Sequence, residues 1–101
     1  RNVRRRRQEA RTRTRQLNED IERYRGQLEG DRAFLNAARE AYDEEKRKID
    51  EEVASGQLTP NQAGMLLRNS AAELRRAQQD LDSSTANLAS AREELGGPTA
   101  D

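Results

Sequence analysis

Leucine recurs every seven residues across the final third of the chain, at Leu67, Leu74, Leu81, Leu88 and Leu95. Offset from these by three or four residues sit Ala63, Ser70, Ala77, Ser84 and Ala91. A seam position kept apolar or small through successive heptads is the mark of a coiled coil. Small residues at every second position also let two helix axes approach closely. The constraint matters because the composition alone leaves two outcomes open. Charged residues make up 38% of the chain, apolar residues 32% and aromatics 3%. Such a chain is either a disordered polyampholyte or a protein of long helices. A disordered chain has no reason to hold a heptad register, so the pattern selects helices.

The same repeat runs through the first half. One seam carries Ile21, Leu28, Leu35, Tyr42 and Ile49; the other carries Val3, Ala10, Leu17, Tyr24, Asp31, Ala38, Glu45 and Glu52. Gly26 and Gly30 each cost about 1 kcal/mol relative to Ala inside a helix. The register is the same on both sides of them, so one continuous helix is expected. Gly26-x-x-x-Gly30 would act as a membrane dimer motif only in an apolar segment, and this one is polar. A local bend or close packing is the expectation there.

The break between the helices is marked by Gly56-Gln57-Leu58-Thr59-Pro60-Asn61-Gln62. Gly56 suits the left-handed residue after a helix end. Thr59 is a good N-cap, Pro60 fits the first helical position, and Gln62 completes a capping box. A short connection implies antiparallel neighbours, whose facing residues have numbers of constant sum. Ile49 with Leu67, Tyr42 with Leu74, Leu35 with Leu81, Leu28 with Leu88 and Ile21 with Leu95 all obey one sum, 116. Glu52 with Ala63, Glu45 with Ser70, Ala38 with Ala77, Asp31 with Ser84 and Tyr24 with Ala91 obey another, 115. Ser70 is expected to satisfy Glu45, and Ser84 to satisfy Asp31, because an unpaired buried carboxylate is costly.

The expected fold is therefore all-α: an antiparallel two-helix coiled-coil hairpin whose long N-terminal helix overhangs its partner. Residues 1–16 form an Arg-rich helical arm. Residues 17–97 form the hairpin, with helix 17–55, tip 56–59 and helix 60–96, and residues 98–101 form a frayed tail. The overhang is expected to leave about 20 residues, with Val3, Ala10 and Leu17, without an intrachain partner. A thin hairpin buries little, which argues for self-association or a partner. Phe34, Ala37, Ala41, Met65, Leu66 and Ala86 would supply a second seam.

Zero net charge conceals an uneven distribution. Residues 1–16 hold eight Arg and one acid, Glu9, a net +7; the other 85 residues hold 11 basic and 18 acidic groups, a net −7. Exposed charge is felt within about 8 Å at physiological salt, so a partner at the arm meets a cationic surface. Arg4, Arg5, Arg6, Arg7 and Arg11 are the candidate contacts. Three readings compete: phosphate neutralisation on a nucleic acid, a basic stretch beside a membrane span not contained in this sequence, and a solvated helix end. The first residue being Arg rather than Met fits an excised segment.

Enzymatic chemistry is not expected. The chain has no Cys or His, so it lacks a disulfide framework, an ordinary zinc or haem site and a Ser–His or Cys–His pair. No apolar run reaches the roughly 20 residues of a membrane span. The acids Asp43, Glu44, Glu45, Asp50, Glu51 and Glu52 radiate around a helix instead of converging on a cation. Lys46, Arg47 and Lys48 interleave them at ion-pair spacing, so a solvated face is expected. No cofactor, metal or small-molecule substrate is implied.

The run from Gly56 to Gln62 resembles the hairpin tip of bacterial HlyD-like membrane fusion proteins, the periplasmic adaptors. The stretches Ala72-Glu73-Leu74-Arg75-Arg76-Ala77-Gln78-Gln79-Asp80-Leu81 and Ala86-Asn87-Leu88-Ala89-Ser90-Ala91-Arg92-Glu93-Glu94-Leu95-Gly96 are similar to that family's return helix. The likeness covers residues 31–97. It lacks flanking β-rich or lipoyl-like segments, and its pre-tip stretch is acidic where many members are rich in Ala. The resemblance implies that Gly56, Leu58 and Thr59 contact another protein, and it implies a membrane-anchored protein of the bacterial cell envelope. The expected function is a non-enzymatic interaction or spacer module; the alternatives are an Arg-arm nucleic-acid binder and a homo-oligomerisation or regulatory module.

Overall fold

The computed structural model describes residues 2–96. It contains two helices, α1 (Asn2–Ala54) and α2 (Pro60–Gly96), and no strand among the described residues. The protein is an all-α helical hairpin. The expected end of the hairpin at residue 97 and the frayed tail 98–101 lie outside the described residues. Both Gly26 and Gly30 lie within α1, which passes through them without interruption. A Cβ added at either would meet nothing within 4 Å. Among the described residues nothing packs closely on either glycine, and both weaken the helix without a compensating contact there.

Two compact units divide the chain: Gly30–Leu81, and Arg1–Glu29 with Asp82–Asp101. The unit Gly30–Leu81 holds the turn. Its burial follows the heptads: Leu35, Ile49, Ala63 and Ala77 are buried, and Ala38, Tyr42, Glu45, Glu52, Leu67, Ser70 and Leu74 are half-buried. Ala77 is 1% exposed, the tightest position among the described residues. The register is fixed by Ser70, whose hydroxyl donates to Glu45 Oε2 at 2.5 Å, the expected pairing. A half-buried carboxylate in an apolar seam is better tolerated with such a donor.

The other unit continues the same pattern on its own residues. Leu17, Ser84, Leu88 and Ala91 are buried, and Ile21, Tyr24, Leu28 and Leu95 are half-buried. Ser84 is the buried polar residue here, and no buried side-chain polar atom among the described residues lacks a hydrogen bond. One expectation is corrected. Leu17 is only 9% exposed, so it is covered and does not stand free on the overhang. It shares a groove with Tyr24, Ala91 and Glu94, and Arg13 pairs with Glu94 close by. The uncovered stretch is thus residues 2–16, all exposed, with Val3 at 62%.

These placements give opposite signs for two substitutions. Ala77→Leu forces a large side chain into the tightest layer and lowers stability by about 1–3 kcal/mol. Gly26→Ala adds a methyl group to open space and raises it by about 1 kcal/mol. Urea unfolding followed by circular dichroism checks both; a neutral Ala77→Leu contradicts the close approach at that layer.

Candidate functional site

The turn builds the first candidate surface. Gly56 adopts φ +82°, the left-handed region that costs a side-chain-bearing residue about 1–2 kcal/mol. Its N–H donates to the Val53 carbonyl at 3.1 Å, and the Gln57 N–H donates to the Glu52 carbonyl at 2.9 Å. These two bonds form a Schellman motif, which satisfies carbonyls left open at the end of α1. On the other side, the Gln62 N–H donates to Thr59 Oγ1 at 3.1 Å, and the Thr59 N–H donates to Gln62 Oε1 at 2.9 Å. The capping box read from the sequence is present.

These bonds account for Gly56 and Thr59 by local structure: both hold the turn. Leu58 is half-buried and lines a shallow groove with Gln62, Met65 and Leu66. Met65 is 68% and Leu66 51% exposed. Sequence reasoning assigned Met65 and Leu66 to a second seam, not to the tip. The signal that would have found them is their position one turn after the cap, off the Leu67 seam. Phe34, Ala37, Ala41 and Ala86, the other members of that second seam, are also exposed.

The acidic stretch before the turn is partly ion-paired within the helix. Arg47 bonds Glu44 at 2.9 Å and Glu51 at 2.6 Å, and Lys46 bonds Asp50 at 2.9 Å. Among the described residues no cluster of carboxylates could hold a metal ion. Hydrogen bonding from Arg47, and then its charge, hold the Glu44 carboxyl below its ordinary value. The hydrogen bond to Asp50, and then that charge, raise Lys46.

The arm is the second candidate surface. Arg4, Arg5, Arg6, Arg7 and Arg11 all lie on α1 and are exposed. Arg5 reaches Glu9 at 3.9 Å. Farther along, Asp20 accepts hydrogen bonds from Gln16 and Arg23, each at 3.1 Å, and the Arg23 guanidinium sits 5.3 Å from the Tyr24 ring centre. No helix among the described residues is long and apolar enough to cross a membrane. No family model matches the chain, and no curated protein or solved structure matches it.

The pre-turn ion pairs set a pH dependence. A depressed Glu44 stabilises the fold above the ordinary carboxylate range, and that contribution is lost as pH falls through its lower folded value. A raised Lys46 stabilises it below the ordinary lysine range, and that is lost as pH rises through its higher folded value. Arg47→Ala is therefore expected to melt slightly below the parent at neutral pH and to match it once the carboxylates are protonated. Thermal melts across pH check this; a difference that persists in acid contradicts it.

Proposed function

We propose that this chain is a non-enzymatic coiled-coil interaction and spacer module of a membrane-anchored bacterial envelope protein, docking another protein through its tip. The observation that carries the reading is the turn. Its backbone is held by a Schellman motif on one side and a capping box on the other. Immediately beside it, Met65 and Leu66 remain exposed while seam residues of the same unit are buried. A surface rigid before binding loses little entropy on association. Exposed Met beside Leu is a common composition for recognising helical or apolar partners.

The envelope placement is supported by the resemblance of Gly56–Gln62 to the adaptor tip and by the cationic arm, which suits the flank of a membrane span. The absence of Cys and His from the sequence removes the commonest nucleophile–base pairs. Exposed Phe34, Met65 and Leu66 favour homo-oligomerisation as the second reading.

A photo-crosslinking amino acid placed at Met65 in the protein within its native cells tests the docking site. The expected result is a discrete adduct with one membrane-fraction protein, lost when Leu66→Ser is added. The same probe at exposed Thr12 gives no such adduct. Adducts only between copies of this chain favour the second reading, and equal labelling from both positions contradicts a docking tip.

A further inference from the structure

The arm holds a feature that its total charge does not reveal. An α-helix turns 100° per residue, so Arg4, Arg7, Arg11 and Arg15 fall within an arc of about 80° along about 16 Å of axis. All four are exposed, and none has an ion-pair partner among the described residues. Thr14 and Asn18 complete this face with hydrogen-bonding groups. The other arginines point elsewhere. Arg5 leans to Glu9, on the far side of the helix, and Arg13 is taken up by Glu94. Val3, 62% exposed, and Ala10 border the stripe on one side.

We propose that this arginine stripe is a binding site for an anionic lipid surface, with the arm lying flat and the four guanidiniums on headgroup phosphates. Three observations select that occupant. A flat surface meets one arc of a helix, and four of the five unpaired arginines among residues 2–16 occupy one arc, with Arg6 alone facing away from it. A partner helix would have to pack on Val3 and Ala10, too little apolar area to hold an association. A nucleic-acid groove encloses a helix and would draw on Arg5 and Arg6 as strongly as on the stripe. A bilayer also offers Val3 a place among acyl carbons beside the phosphates. The inference goes beyond the tip reading and stands apart from it, since the arm would bind lipid whether or not the tip docks.

The test is co-sedimentation of the full 101-residue chain with phosphatidylcholine vesicles, with and without phosphatidylglycerol. Binding is expected only with phosphatidylglycerol and is lost at high salt. Near an anionic leaflet each arginine contributes about fivefold in affinity, so Arg7→Gln with Arg11→Gln weakens binding about 25-fold. Arg5→Gln with Arg6→Gln removes the same charge from other faces and weakens it by no more than about fivefold. Unchanged circular dichroism of both variants shows that the helix is intact. Equal losses from the two pairs, no binding to anionic vesicles, or binding to duplex DNA alone would each overturn the proposal.

Discussion

The contact of Leu on α2 with the large seam residues of α1 is the interaction on which the structure depends. Ala63, Ala77 and Ala91 of the small layers are buried beside it. The chain has one Phe and two Tyr, and Phe34 is exposed. Hydrophobic burial scales with the apolar area removed from water, and in each unit the buried residues are seam residues. The small layers make that contact close: at Ala77 the near-zero exposure reflects a side chain short enough to admit its neighbour.

Leucine spaced by sevens cannot by itself distinguish one heptad register from the next, because a slip of seven still sets large against large. The polar layer does. Glu45 accepts from Ser70, whereas a one-heptad slip would set that carboxylate against Ala63 or Ala77. Each would leave it without this donor, which favours the observed register. Polar seam positions cost stability and specify register in coiled coils. The turn agrees with them, since its Schellman motif and capping box allow few geometries.

Much of this was legible in the sequence because it rests on local rules. Heptad spacing gave the buried face, Gly56 the left-handed residue, and Thr59 with Gln62 the start of α2. Leu17 was misjudged because the pairing arithmetic stopped at the seam layer of Leu95. Side chains near the helix end reach farther than their backbone, as the Arg13–Glu94 pair shows. Met65 and Leu66 are exposed, as a second seam requires; periodicity tells which side of a helix a residue occupies, not that a turn brings Leu58 beside it. Charge totals hid the stripe of Arg4, Arg7, Arg11 and Arg15, which emerges only when helix geometry is applied to the arm.

The central claim is the antiparallel register of the seam, and engineered cysteines test it most directly because the chain has none of its own. The register that pairs Glu45 with Ser70 also sets Ala38 against Ala77, one heptad along, and only facing residues can be bridged by a disulfide. Ala38→Cys with Ala77→Cys is expected to oxidise rapidly to an intramolecular disulfide in dilute solution. Ala38→Cys with Ser70→Cys, one heptad out of register, is expected to stay reduced or to link only between chains. Faster intramolecular bonding in the second pair, or none in the first, would contradict the account.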